Sequence, residues 1–266
     1  MKEDFLITRL NERRERNAYR ELLPASGKAD FCSNDYLGIV KNKVLNNRKH
    51  TSLRSGSTGS RLLSGNYEMI EHLEKQVAAF HGAASGLVFN SGYDANIGLL
   101  GSVARKGDSI IYDFLSHASL RDGIRLSAAQ AFPFLHNDME SLEKRLKACS
   151  PGANTVFVVT ESVFSMDGDL APLQEIADLC KRYEANLIVD EAHATGVLGP
   201  GGAGLVQSLS LQHACFARIH TFGKAVGCHG AVVLGSDVLR NFLINFCRPF
   251  IYTTALPESS IFQVSR

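Results

Sequence analysis

An α/β fold built on a mostly parallel sheet, with helices over both faces, is what this 266-residue sequence predicts. Three observations carry the prediction. Short β-branched runs such as "TVFVVTES" and "ANLIVDEA" are continuously apolar rather than alternating, the pattern of strands buried on both faces. Segments with apolar residues at helical spacing separate them. The residues able to do chemistry fall just past the predicted strand ends, where such sheets collect their ligands.

Taken in order, residues 4–22 place Phe5, Leu6, Leu10 and Ala18 at rough helical spacing among charges and predict an amphipathic helical arm. "FCSNDYLGI" predicts a short strand and an Asn-Asp turn. The Gly/Ser-rich "LRSGSTGSRLLSGN" reads either as a flexible linker or as a loop with a role, since Arg54, Arg61, Leu62 and Leu63 are unusual in linkers. From Tyr67, the residues Met69, Ile70, Leu73, Val77 and Phe80 follow helical spacing until His81-Gly82 ends the run. Alternation follows: "SGLVFNSG" as strand, 92–105 as helix, "DSIIYD" as strand, 118–129 as helix and "QAFPFL" as strand. "NDMESLEKRLKAC" predicts a helix capped by Asn137, with Glu140 closing a capping box. "TVFVVTES" (strand), 172–184 (helix), "ANLIVDEA", "ARIHTFG" and "GAVVLG" (strands) complete the series.

Composition excludes several classes of function. Lys and Arg total 28 against 27 Asp and Glu, a net charge of +1, so no field gathers nucleic acid or an anionic membrane. The expected partners are small molecules and other subunits. Six cysteines, at 32, 149, 180, 215, 228 and 247, are too scattered for a metal knuckle or a disulfide framework. No metal site is expected. A charged N-terminus without a signal-like apolar core, and no apolar run of membrane-spanning length, fit a cytoplasmic protein.

The predicted strand ends carry Ser91-Gly92-Tyr93, Ser116-His117, Glu161-Ser162, Asp190-Glu191-Ala192-His193, and Thr221 leading to Lys224. Each has an ordinary reading beside a chemical one. Ser91-Gly92-Tyr93 is either a turn or a phosphate cradle at a helix N-terminus. Asp190 is either a cap or the partner of a buried cation, because an unpartnered carboxylate there is costly. His193 is either a histidine satisfied by backbone or a ligand contact, and His117 either caps a helix or stacks on a flat ligand. Lys224, in "HTFGKAVGCHGAVVLGS", is either a snorkelling surface lysine or a reactive amine in a dry pocket. Taken together, a cradle, an acid, two imidazoles and a lysine are the parts that pyridoxal 5'-phosphate requires. A nicotinamide-binding reading of "GPGGAG" fails, since that run lies late and lacks the fingerprint's spacing.

In that order, "FCSNDYLG", "GSTGSRLLSGN", "SGYDAN", "LSHASL", "ESVFSMDGD", "IVDEAHATGVLG" and "TFGKAVG" resemble the successive motifs of the α-oxoamine synthases, which are fold type I enzymes using pyridoxal 5'-phosphate. The resemblance implies a large cofactor-binding domain with a mostly parallel seven-stranded sheet. It assigns Lys224 as the Schiff-base lysine, Asp190 as partner of the ring nitrogen, His193 as donor to the ring hydroxyl and His117 as the ring that stacks on the cofactor. Gly92 and Tyr93 would support the phosphate, Ser165 and Thr221 would make further cofactor contacts, and Arg20 would meet the amino-acid carboxylate. Thr254 would reach the phosphate of the neighbouring subunit, which implies a homodimer with shared sites.

"GSTGSRLLSGN", "TFGKAVGCHGAVVL" and "RPFIYTTALP" are most similar to the family members of biotin biosynthesis. The implied reaction is a decarboxylative condensation of L-alanine with pimeloyl-CoA or a pimeloyl carrier protein. The alternatives are another member, such as a glycine acetyltransferase, or a form that binds the cofactor with impaired turnover. Family members continue well past the position of Arg266, so the resemblance also implies that most of a small C-terminal domain lies outside this sequence. The implied division is an arm and short strand over 1–45, a large domain over 46–240 and the start of a linker over 241–266. Asp190-Glu191 departs from the two aspartates of many relatives but keeps both carboxylates.

Overall fold

The computed structural model describes residues 2–266 except 23, 25, 26, 28, 46–52 and 150–153. The expected start of the large domain, near residue 46, therefore lies outside the described residues. Two compact units are formed, Met1–Ser33 and Asn34–Arg266.

In the first unit, helix α1 (Asp4–Glu15) buries no residue. It is shorter than the predicted 4–22 because Asn17 turns into the left-handed region, with φ 51°, and Arg13 closes the end on the carbonyl of Ala18 at 3.0 Å.

The second unit opens with the turn expected at Asn34-Asp35, while no strand forms over residues 31–39. The Asp35 carboxylate accepts the N–H groups of Val40 and Lys41, and Gly38 donates back to the Asp35 carbonyl. Those bonds turn the chain back on itself in place of a strand. The elements that follow are α2 (Glu68–Phe80), β1 (Ser85–Phe89), α3 (Gly92–Val103), β2 (Ser109–Asp113), α4 (Ala118–Leu126) and β3 (Gln130–Phe134). Next come α5 (Met139–Cys149), β4 (Val156–Glu161), α6 (Leu173–Arg182), β5 (Asn186–Asp190) and the short α7 (Leu205–Ser208). The unit closes with β6 (Cys215–Thr221), β7 (Ala231–Gly235), α8 (Asp237–Phe246), α9 (Arg248–Ile251) and α10 (Glu258–Val264).

The strands form one seven-stranded sheet in the order β1-β7-β6-β5-β4-β2-β3. Neighbours from β6 through β3 run parallel, whereas β7 is antiparallel to both β1 and β6. Side chains alternate across β4, so Phe157 and Val159 enter one core with Leu99, Leu100 and Ile188 while Val158 enters another with Leu142, Ile176 and Val189. Burial on both faces explains why the strands read as unbroken apolar runs. A third cluster packs α2 and α10 onto β1 and β7 through Ile70, Leu73, Val88, Val232 and Ile261.

The cap of α5 differs from the prediction. Asp138 accepts the N–H of Ser141 at 2.9 Å, whereas Asn137 adopts φ 52° and turns its amide to Asp169 at 2.8 Å. Asp wins the cap because the left-handed residue before it redirects the chain, and Glu140 is then one position too early for a capping box. Helix α4 stops before the predicted 129 because Ala128, at φ 59°, reverses the backbone.

The loop over 53–66 is anchored rather than free. Arg61 is buried against Glu74 at 2.7 Å, and Glu74 also accepts Arg240 at 3.1 Å and the N–H of Val88 at 2.9 Å. Arg54 pairs with Glu258 at 2.7 Å, and Gly59 accepts the N–H of Ala255. The loop thereby fixes the segment that carries Thr254.

Candidate active site

The parallel strands deliver their carboxyl-terminal residues to one rim. Asp190 ends β5, 5% exposed, with Ala192 N–H donating to Oδ1 at 2.9 Å and the Asn96 amide to Oδ2 at 2.7 Å. Each of its two oxygens thus accepts a hydrogen bond. Among the described residues, no cationic nitrogen stands within ion-pair distance of it.

Lys224, in the turn between β6 and β7, is half-buried with Nζ 2.6 Å from Nε2 of His193. Burial pulls its pKa below the usual lysine value, opposed by the charges of Asp190 and Glu161. Among the described residues the His193 ring bonds to no backbone group: Nδ1 lies 2.7 Å from the hydroxyl of Tyr36, whose proton goes to Asn34 Oδ1 at 3.1 Å. Since the Tyr36 hydroxyl has one proton to give, Nδ1 is the donor to it and Nε2 accepts from the lysine amine. Burial, and then the neighbouring Lys224 charge, lower the His193 pKa to about 4. The ring is therefore neutral at physiological pH.

His117 takes the capping role its sequence allowed. Its Nδ1 caps α4 by accepting the N–H of Ser119 at 3.2 Å, and its ring is exposed at the rim. The Ser119 hydroxyl lies 2.7 Å from the same Nδ1 and receives the second amide proton of Asn96 at 2.9 Å. In neutral His117 the proton therefore sits on Nε2. Beneath it, Glu161 is buried, accepts the His117 N–H at 2.6 Å and has its pKa raised to about 8 by burial and then by Asp190.

At the start of α3, Ser91 caps the helix by accepting the N–H of Asp94 at 3.0 Å. A side-chain carbon at Gly92 would stand 3.6 Å from the Thr221 side chain, an ordinary contact, so the helix N-terminus lies directly beside the end of β6. The Tyr93 hydroxyl is bonded to Asp122 on α4. Asn90, at the same turn, donates to the Thr254 carbonyl at 2.8 Å, and the Thr254 side chain is exposed. Ser165 is exposed at the tip of the turn after β4. Arg20 is exposed in the N-terminal unit, past the end of α1.

Glu191 anchors the rim from behind. Its buried carboxylate accepts the Ser162 hydroxyl at 2.7 Å and the N–H groups of Leu205 and Val206. Gly204, at φ 103°, must be glycine, since a side-chain carbon there would lie 2.8 Å from that carboxylate. The "GPGGAG" run is thus a turn packed on Glu191, not the opening of a long helix.

The residues present fit pyridoxal 5'-phosphate on three counts. The buried Asp190 carboxylate has no cationic nitrogen within ion-pair distance among the described residues, the N-terminus of α3 lies beside the end of β6, and the Lys224 amine, its pKa lowered by burial, stands on the same rim. Sequence reasoning missed Tyr36, Asn96 and Ser119. Asn96 had a signal, since it follows Gly92 by four residues and shares its helix face.

Residues 26–265 match the family described as aminotransferase class I and II. The chain belongs to this family. An 8-amino-7-oxononanoate synthase of Emericella nidulans is 44% identical over 274 residues, covering 95% of this chain and 66% of its own length. Serine palmitoyltransferase from S. paucimobilis, solved with a bound PLP–myriocin aldimine, superposes with a TM-score of 0.84 at 29% identity, over 99% of this chain and 72% of that one. The 8-amino-7-oxononanoate synthase of Francisella tularensis superposes at 0.72 with 30% identity, over 90% of this chain and 68% of that one. Against three curated relatives, the chain spans 68%, 66% and 60% of their length.

Proposed function

We propose that this chain carries the pyridoxal 5'-phosphate site of an 8-amino-7-oxononanoate synthase, which joins L-alanine to a pimeloyl thioester of CoA or a carrier protein in biotin biosynthesis. The observation that carries the reading is the Lys224 amine, 2.6 Å from a neutral His193, on the same rim as the cation-seeking Asp190. The substrates rest on sequence: identity is 44% to an 8-amino-7-oxononanoate synthase and 29% to the serine palmitoyltransferase that superposes more closely.

Bound here, the cofactor supplies an aldehyde for the alanine amine and an electron-poor ring that takes up the electron pair left at Cα. Asp190 would hold the ring nitrogen protonated, because an anion beside it favours the charged form. Lys224 would bond the aldehyde at rest, then, as a free amine of lowered pKa, take the proton from alanine Cα and later return one. His193 would orient that amine and Tyr36 the imidazole. Gly92, Tyr93, Thr221 and Ser165 would hold the phosphate and ring, with His117 over the ring face. Arg20 would take the amino-acid carboxylate. The balance is simple: Cα loses its proton and bonds the thioester carbon, the thiolate leaves, the alanine carboxylate departs as CO2, and the carbon regains a proton.

The reading includes a homodimer in which Thr254 serves the neighbouring site, and a cytoplasmic location. Its support is the near-zero net charge, the exposed Thr254 segment and, among the described residues, no helix long and apolar enough to cross a membrane.

Incubation with pyridoxal 5'-phosphate, borohydride reduction and peptide mapping test the site. One adduct, on Lys224, is expected; labelling scattered over surface lysines overturns the reading. Release of CO2 from alanine across acyl-CoA chain lengths then tests the substrate, with pimeloyl-CoA preferred.

A further inference from the structure

Asn96 has no role among the residues expected to touch the cofactor, yet it is 2% exposed in the middle of the site. Both protons of its amide are spent, one on Asp190 Oδ2 at 2.7 Å and the other on Ser119 Oγ at 2.9 Å. Its own Oδ1 has no hydrogen-bond partner among the described residues. The reversed amide would set Oδ1 against the Asp190 carboxylate, acceptor against acceptor, so the orientation is fixed by chemistry. A buried residue that leaves its acceptor unmatched while both donors are used is held there for the donors.

The backbone is shaped to bring the two acceptors to it. At Gly123 in α4 a side-chain carbon would stand 2.8 Å from the Asn96 carbonyl oxygen and 3.1 Å from Ile97 Cα. The missing Cβ lets α4 approach α3 closely, and Ser119, one turn earlier on the same face, then reaches the Asn96 amide. Ser119 passes the constraint on by giving its hydroxyl proton to His117 Nδ1 at 2.7 Å.

We propose that Asn96 is a positioning residue that locks together the acid at the cofactor's ring nitrogen and the histidine at its face, through Asp190 on one side and Ser119–His117 on the other. This rests on the assignment of Asp190 and His117 to the cofactor made above. Because α3 also opens with the phosphate cradle, one helix then fixes three sides of a flat ligand. The ring's tilt is set by Asn96, which touches neither ring nor substrate.

The test compares the wild-type chain, Asn96→Leu, Ser119→Ala and the double variant, each loaded with pyridoxal 5'-phosphate. Asn96→Leu keeps the volume and removes both donors. We expect it to weaken cofactor binding about tenfold and to reduce the visible circular dichroism per bound cofactor at least twofold, a signal that reports a fixed ring rather than a folded chain. Ser119→Ala should lose less, and the double variant should be no worse than Asn96→Leu in kcat/KM, the mark of residues on one path. Wild-type affinity and dichroism in Asn96→Leu, or losses that multiply in the double variant, overturn the proposal. If Asn96→Leu does not fold, Asn96→Ser, too short to reach either acceptor, carries the same expectations. A wild-type chain that gives no Lys224 adduct overturns the site reading instead, so the two failures are separable.

Discussion

Glu161 and Asp190 are register partners at the ends of the neighbouring parallel strands β4 and β5, yet their carboxylates stand in unlike surroundings. Asp190 accepts the Ala192 N–H and the Asn96 amide, whereas burial and then the charge of Asp190 push Glu161 up to about 8. Two acids whose environments pull apart divide the work between them. Asp190→Asn, which removes the charge, should cut kcat on the order of 100-fold or more, while Glu161→Gln, which mimics the neutral acid, should stay within about tenfold. Steady-state kinetics of the loaded protein decide it. Equal losses would mean that both carboxylates act as anions.

Glu161 also sets a stability slope of known sign. Its folded pKa lies above the ordinary carboxyl value, so between about 4.5 and about 8 the folded state holds a proton that the unfolded state has lost. Stability should therefore fall as pH rises through that window, and Glu161→Gln should flatten this part of the curve. Urea midpoints across the window give the slope directly.

The buried His81–His220 pair acts in the opposite direction. Their rings stand 3.9 Å apart, and burial holds His81 at about 4, with the Ala203 carbonyl opposing and the Arg218 charge assisting, while burial, then the charges of His81 and Arg218, holds His220 well below its ordinary value. The unfolded chain takes up these protons from about pH 6.5 downward and the folded chain does not. The stability they contribute is complete above 6.5 and is lost as pH falls toward 4. His81→Gln should make acid unfolding less steep; an unchanged midpoint-against-pH curve would show that other groups govern it.

Gly123→Ala is a test of helix packing. In an exposed helix the change would stabilise by about 1 kcal/mol. Here the new carbon would lie 2.8 Å from the Asn96 carbonyl and 3.0 Å from Leu100 Cβ, so melting temperature and cofactor affinity should both drop.

Arg61→Ala leaves Glu74 with one guanidinium, that of Arg240, in a site where Glu74 is 2% exposed. A loss of about 3 kcal/mol is expected from denaturant unfolding. Arg61→Ala with Glu74→Leu should recover most of it, because the uncompensated charge goes too.

The strands and the chemical rim were legible in the sequence for one reason: burial on both faces writes unbroken runs such as Val156–Glu161, and whatever follows such a run stands at the rim. What escaped depended on contacts distant in sequence. Tyr36 meets His193 only because the Asp35 turns replace the expected strand. Asn96 meets Ser119 only because Gly123 lets two helices approach. Helix α8 went unread because Val238, Phe242 and Phe246 are apolar on its exposed side, which blurs the contrast that periodicity needs.

The place of β7 between β1 and β6 has a consequence for synthesis. As the polypeptide leaves the ribosome, β1 is made early but finds its sheet neighbour only when β7 emerges, almost at the end of the described chain. The turn at Ser91 and Gly92 hangs from β1, and the Lys224 turn enters β7. A nascent chain therefore joins the proposed phosphate cradle to the proposed Schiff-base lysine in the same event that closes the sheet, and on that reading the cofactor finds its site only then.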